Sequence, residues 1–507
     1  MPYETPLSTY LTESSATGRQ PNPEFVSYLA SLQQINTVAP EVARAIVSEL
    51  ADQRANLKMI ASENYCSLAV QAAQGNLLTD KYAEGYPFHR FYAGCDNVDV
   101  IESLAASTAE SLFGADHAYV QPHSGADANL VAYWAILSAR IQTPFLDNLN
   151  IKDPSTLSAS DWDKLRATLG EQVLLGMNYY SGGHLTHGYR HNFSSRMFRS
   201  FSYDVDRETN LIDYEKVRDQ AKEIRPLILL AGYSAYPRNI NFRIFREIAD
   251  EVGAVLMVDM AHFAGLVAGG VMANDYNPVV HADVVTTTTH KTLRGPRGGM
   301  VLSSDEFADH VDKGCPLVLG GPLPHVMAAK AVGLQENNTE DFRDYSQRVV
   351  QNASALANAC VAEGMNILTG GTDNHLLLLD TTPFDLTGRQ AESAVREINI
   401  TLNRNSLPFD SNGPWYTSGL RIGTPALTTL GAGPTEMQEI ASIIKLVLSN
   451  TSPATMTKGK NAGSLSKSRF STEQNTLTEA RSRTAALAER FPVYPELDLD
   501  YLQKHLC

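Results

Sequence analysis

Lys291 closes the run TTTTHK, Thr286 to Lys291, with ADVV before it and TLRGPRGG after it, and that placement suits the residue to covalent chemistry. Ala282 to Thr288 is rich in β-branched residues and reads as a short buried strand that delivers the lysine into a glycine-rich loop. An amine that is to bond to a carbonyl must spend time neutral, and burial or nearby cations lower a lysine's pKa. His290 and Arg297 are the expected source of that positive surrounding. Taken alone, the run also fits a surface lysine after a strand, so the neighbouring elements decide.

Two apolar runs supply those elements. Leu227 to Leu230 opens into Gly232, Tyr233 and Ser234, and Ala254 to Val258 ends at Asp259 and His262. Continuous apolar strands are buried on both faces, and ligands of open α/β sheets bind at the carboxyl ends of the strands. Asp259 at one strand end and Lys291 at another suggest a carboxylate for a pyridinium nitrogen and an amine for an aldehyde, the binding logic of pyridoxal phosphate. The alternative for Asp259 is an N-cap of the AHFAGL segment. A phosphate cradle is expected at QPHSGADAN, where Ser124, Gly125 and Asp127 form an S-x-x-D start to the helical run NLVAYWAILSAR. Plain helix capping explains the same pattern. Gly182 and Gly183 permit close backbone approach, which leaves His184 free to lie over a flat ring.

With ASENY at Ala61 to Tyr65, KYAEGYP at Lys81 to Pro87, GGTDNH at Gly370 to His375 and RIGTPA at Arg421 to Ala426, the ordered set resembles the serine hydroxymethyltransferases of the longer bacterial type, from about Ile60 to about Leu448. The resemblance implies an α/β, fold-type I, aminotransferase-like enzyme with a mostly parallel sheet in its large domain and a smaller α/β C-terminal domain. It implies pyridoxal phosphate as cofactor and tetrahydrofolate as co-substrate in the interconversion of serine and glycine. By motif, Lys291 resembles the Schiff-base lysine, Asp259 the partner of the ring nitrogen and His184 the ring-stacking histidine. Ser124, Gly125 and His290 resemble contacts of the phosphate region, with Ser234 and His262 lining the cofactor. Arg421 resembles the clamp on the substrate carboxylate, a bidentate task that suits a guanidinium. Glu84 resembles the acid–base carboxylate near the serine hydroxyl, with Ser62 and Tyr92 beside the substrate. Tyr179, Gly183, His184, Leu185 and Asn405 fall at the folate contacts, and Tyr82, Glu84, Tyr92 and Gly321 at positions that reach a neighbouring subunit's site. A homodimer or tetramer with shared sites is therefore implied.

The chain departs from the family pattern in places that bear on folate. Phe91–Tyr92 stands where a tyrosine pair is usual, Tyr179 where a leucine is usual, and SGADAN puts Ala126 and Asp127 where uncharged polar contacts are common. A polar insert at about 141–175 reads as a surface excursion with a short helix near Trp162 to Leu169. A folate-independent aldolase on the same fold is the alternative enzyme, and a cofactor-free scaffold or RNA-binding protein the alternative outside catalysis.

Composition sets the bounds. With 507 residues and 43% hydrophobic content the chain can bury a large core and divide into domains. The expected division is an N-terminal arm at 1–59, a cofactor-binding domain at 60–335, a small domain at 336–449, and a linker with a helical extension at 450–507. Residues 450–471, rich in Ser, Thr, Lys and Gly, read as a mobile linker. The balance of 41 basic and 56 acidic residues, a net charge of −15, disfavours broad nucleic-acid binding. Five cysteines at scattered positions give neither metal spacing nor a disulfide framework, as expected of a reducing cytoplasm. No run approaches the roughly 18 apolar residues of a membrane span, and the start MPYETPLSTYLTESS lacks the marks of a signal peptide, so no export is expected.

Overall fold

Residues 5–457 and 463–507 are described by the computed structural model of the chain. Seven strands form the main sheet: β1 His117–Tyr119, β2 Val173–Met177, β3 Arg199–Tyr203, β4 Ile228–Gly232, β5 Val255–Asp259, β6 Val284–Thr288 and β7 Gly299–Ser303. Their order is β1-β7-β6-β5-β4-β2-β3, and β7 runs antiparallel to both of its neighbours while β3, β2, β4, β5 and β6 pair in parallel. The sheet is mostly parallel, as expected. Alternate residues of each central strand enter two different cores: Leu229, Ala231, Leu256 and Val258 join one, and Ile228, Leu230, Val255 and Met257 the other. Helices cover both faces, which explains why β4 to β7 contain no exposed position.

A second sheet, β8 Asn366–Ile367, β9 Leu376–Asp380, β10 Asn403–Asn405 and β11 Gly419–Gly423, is antiparallel in the order β8-β9-β11-β10. It packs with the helix Pro434–Ser449 into a separate hydrophobic cluster that includes Leu377, Leu379, Leu420, Ile422 and Ile444. The insert contains the expected helix, Ala159–Gly170, which buries Leu165, and another that was not expected, Thr143–Asn148.

One segment differs from its sequence reading. Where a linker was expected, β12 Thr451–Thr455 and β13 Leu465–Thr472 pair as an antiparallel ribbon; the 458–462 part of that expectation lies outside the described residues. Gln390 fixes the ribbon by donating its side-chain amide to the Ser466 and Arg469 carbonyls. The N-terminal arm, of which residues 1–4 lie outside the described residues, packs on its own C-terminal tail: Phe25, Leu29, Val47 and Leu50 share a cluster with Val493, Leu497 and Leu502.

Arg54 locks that tail by donating to the carbonyls of Val493 at 3.0 Å, Tyr494 at 2.5 Å and Leu497 at 2.8 Å. Arg54→Ala is expected to lower stability by roughly 1–3 kcal/mol and to open the Phe491 to Leu497 stretch to protease. A cleavage pattern and denaturation midpoint equal to wild type would show that the tail is held by apolar packing alone.

Candidate active site

The carboxyl ends of β4, β5 and β6 and one face of the small sheet enclose a cavity of about 550 Å³. Of the residues nominated from sequence, Ser62, Tyr179, Gly183, His184, Leu185, Ser234, His262, His290, Lys291, Asn405 and Arg421 line it. Asp259 does not line it but is close enough for its charge to act on Lys291 and His184. Tyr82, Glu84, Tyr92 and Gly321 do not line it and gather elsewhere, and Ser124 and Gly125 sit behind the β6–β7 turn.

Lys291 reaches the cavity three residues past the end of β6. Burial draws its amine down to about 8, against the pull of Asp259 and with the help of Arg421 and Arg297. His290 does not supply the positive charge expected of it. Burial and the cations of Arg297, Lys291 and Lys330 hold its imidazole down to about 3, hence neutral. The main chain at Lys291 is fixed from two sides: Asn64 Nδ2 and the Arg294 N–H both donate to the Lys291 carbonyl.

Asp259 ends β5 and is buried. Burial alone would raise its carboxyl, but the hydrogen bonds from His187 Nε2 at 3.1 Å and Asn129 Nδ2 at 2.9 Å prevail and hold it well below the usual carboxylate range. The helix Ala264–Ala268 takes Phe263 as its N-cap, so Asp259 is not that cap; its Oδ1 accepts the nearby Ala261 N–H. Asn129 is fixed in turn, with Thr286 Oγ1 on its carbonyl and Thr186 Oγ1 accepting from its amide. Sequence reading missed His187, Thr186 and Asn129, although Asn129 closes the quoted SGADAN and His187 follows His184 by one helical turn's spacing.

Gly182 has φ +114, and a Cβ there would lie 2.6 Å from Ala235 O; at Gly183 a Cβ would lie 2.1 Å from Met177 O. Glycine is required at both for the β2 and β4 ends to meet. His184 then faces the cavity with Nδ1 2.7 Å from Thr186 Oγ1, and burial pulls it down to about 4. Among the described residues, His184, His187 and Asp259 are the cluster close enough to share a cation, yet these bonds already occupy His187 Nε2, Asp259 Oδ2 and His184 Nδ1.

Arg421, on β11, donates Nε to Asn403 Oδ1 and Nη1 to the Ser234 carbonyl. No carboxylate is paired with it among the described residues, and burial lowers it to about 10. His262 Nδ1 lies 3.2 Å from Nε2 of His375, a small-domain residue behind the cavity that sequence reading did not nominate. At the far side of the β6–β7 turn, Ser124 caps α1, Gly125–Leu137, by accepting the Asp127 N–H, and its hydroxyl donates to Asp127 Oδ2. Near this turn His290 Nδ1 and His123 Nε2 are buried without a hydrogen-bond partner among the described residues. Unpaired ring nitrogens beside a capped helix start, an ionised buried carboxylate and a lysine of lowered pKa fit the phosphate, ring nitrogen and aldehyde of pyridoxal phosphate.

The neutral imidazoles make acid sensitivity predictable. Below about pH 6.5 the unfolded chain protonates His184 and His290, while the folded chain resists to about 4 and about 3, so the unfolded state binds more protons in that window and stability is lost as the pH is lowered. The melting temperature of cofactor-free protein should therefore drop between about pH 6.5 and 4.5, and His184→Gln with His290→Gln should flatten the slope. An unchanged slope would mean that both imidazoles are protonated in the fold.

Residues 35–158 and 165–444 match the family profile of serine hydroxymethyltransferase. A serine hydroxymethyltransferase of Treponema pallidum is 62% identical over 481 residues, covering 95% of this chain and 83% of that protein. One from Cutibacterium acnes is 55% identical, covering 93% and 96%, and one from Chlamydia trachomatis 51% identical, covering 98% and 99%. With the mostly parallel sheet, the lysine past β6 and the aspartate ending β5 in place, the chain belongs to the serine hydroxymethyltransferase family.

Proposed function

We propose that this chain catalyses the reversible transfer of the serine hydroxymethyl carbon to tetrahydrofolate, giving glycine and 5,10-methylenetetrahydrofolate, as a pyridoxal-phosphate enzyme of one-carbon metabolism. The observation that carries the reading is one cavity lined by an amine and a guanidinium that lack carboxylate partners among the described residues, Lys291 and Arg421, beside the ionised Asp259.

In this reading Lys291 holds the cofactor through its amine, Asp259 pairs with the ring nitrogen, and His184 covers a ring face. Ser124, Gly125 and His290 serve the phosphate, and Ser234 and His262 the ring edge. Bound there, the cofactor supplies an electron sink for the pair released when the Cα–Cβ bond of serine breaks. Arg421 and Ser62 bind the substrate carboxylate and thereby orient that bond. Tyr179, Gly183, Leu185 and Asn405 line the side assigned to the pterin. The unusual Tyr179 still presents an aromatic face there.

Glu84 moves the proton of the hydroxymethyl oxygen, with Tyr92 beside it. In one chain these residues lie on an exposed patch: the Tyr82 and Tyr92 rings are 4.9 Å apart, a Cβ on Gly321 would touch Tyr82, and Phe88 and Phe91 are 78% and 69% exposed next to them. An apolar patch of this kind supports a homodimer in which each protomer completes its partner's site. Tyr82 and Gly321 are assigned to the partner's cofactor, and Glu84 and Tyr92 to the partner's substrate. The separate clusters support a large and a small domain, with Phe342, Tyr345 and Val349 packing in the large one and Leu477 and Ala480 in the small one. We place the enzyme in the cytoplasm; no described helix is long and apolar enough to cross a membrane.

Serine cleavage by the purified protein should rise steeply on adding tetrahydrofolate, and equal rates with and without it would identify an aldolase instead. Borohydride reduction followed by peptide mapping should place the cofactor on Lys291; a label on another lysine sinks the assignment. Glu84→Gln should keep cofactor binding and lose roughly 10²–10⁴-fold in folate-dependent transfer. Co-assembled Glu84→Gln and Lys291→Ala protomers should regain transfer that neither variant has, and absence of rescue would place Glu84 in its own subunit's site.

A further inference from the structure

Lys330 is 1% exposed in the helix α2, Pro324–Asn337, and takes no part in the chemistry above. Its Nζ donates to the carbonyls of Val120 at 2.5 Å, Pro122 at 2.9 Å and Gly299 at 2.9 Å, and no carboxylate is paired with it among the described residues. Three acceptors match the three protons of an ammonium, whereas a neutral amine has two and would leave one of these bonds unmade. Burial draws the amine down to about 7, opposed by the charges of Glu102 and Asp127; the three carbonyls favour the protonated form.

The carbonyls it binds belong to one small device. Val120 and Pro122 lead from β1 into Ser124 and the start of α1, and the Gly299 N–H donates to Pro122 O at 2.9 Å. A Cβ on Gly299 would lie 2.1 Å from Ser124 O, and one on Gly298 2.5 Å from Lys330 Cε. The lysine, the start of β7 and the Ser124 turn thus form a single packed unit. Asp127 in the first turn of α1 suits the helix dipole but opposes a second anion at the same end. A buried ammonium behind the turn is the nearby charge that offsets it.

We propose that Lys330 is a positioning residue for the cofactor's phosphate, fixing the Ser124–Gly125 turn through the Val120 and Pro122 carbonyls and balancing Asp127 so that the phosphate can bind. The inference rests on the assignment of that turn to the phosphate. Charge behind the turn acts without contact because the intervening medium is dry protein, and the coupling is reciprocal.

The test compares full-length wild type with Lys330→Met and Lys330→Gln after removal of the cofactor. Dissociation constants are measured by absorbance for pyridoxal phosphate and for pyridoxal, which lacks the phosphate. Affinity for pyridoxal phosphate should fall within the roughly 5- to 150-fold range of coupled sites while that for pyridoxal stays nearly constant. Equal losses for both ligands would reduce Lys330 to a general structural residue, and no loss would also overturn the proposal. If wild type binds both ligands equally well, the phosphate assignment itself falls and the role of Lys330 with it. Asp127→Asn probes the same balance without disturbing the core: it should tighten pyridoxal phosphate and leave pyridoxal unchanged, and weaker or unchanged binding of pyridoxal phosphate would overturn the charge argument even if the Lys330 variants fail to fold.

Discussion

Lys291 and Arg421 face one cavity with no carboxylate paired to either among the described residues, and burial draws the first to about 8 and the second to about 10. Unpaired cations are costly to bury, and their mutual repulsion adds to that cost. The arrangement persists because the rest of the protein over-determines it. Asn64 and Arg294 hold the Lys291 carbonyl, while Ser234 and Asn403 hold the guanidinium. A guanidinium and an amine held in this way define the ligands the site takes: an amino acid's carboxylate and an aldehyde-bearing phosphate.

The sheet explains why these groups converge. Parallel strands place all their carboxyl ends on one edge, so β4, β5 and β6 deliver Ser234, Asp259 and Lys291 to the same side from segments far apart in sequence. The antiparallel β7 then turns back and brings Gly299 against the start of α1 and Gly298 against Lys330. The small sheet adds Arg421 from the other side, and Arg238 ties the two parts together through Thr369 and Asp373. Positions on different elements are thereby held to one geometry, as a reaction that breaks a chosen bond requires.

Much of this was legible in the chain because strands buried on both faces are continuous apolar runs, and Ile228–Gly232 and Val255–Asp259 announce themselves in that way. Asp259 closes such a run and Lys291 follows a β-branched one, so their placement followed. His187 and Asn129 were not legible. They are separated from Asp259 by 72 and 130 positions, and only the folded chain brings their hydrogen bonds to it. The charge state of His290 was misjudged for a related reason: adjacency to Lys291 was visible, but the burial that keeps the ring neutral was not. The β12–β13 ribbon escaped notice because LSKSRFST carries little apolar alternation, its register being set by Gln390 and Thr387 from a helix 76 to 80 positions away.

Whether Asp259 keeps a bound ring nitrogen protonated can be read directly from the nitrogen-15 shift of ring-labelled pyridoxal phosphate on the protein. A protonated shift that does not change across neutral pH is expected for wild type, because the Asp259 carboxyl is held far below the usual range. Asp259→Asn should move the signal to that of the free base. A free-base shift in wild type would contradict the proposed pairing at the end of β5, and with it the electron sink on which the proposed chemistry depends.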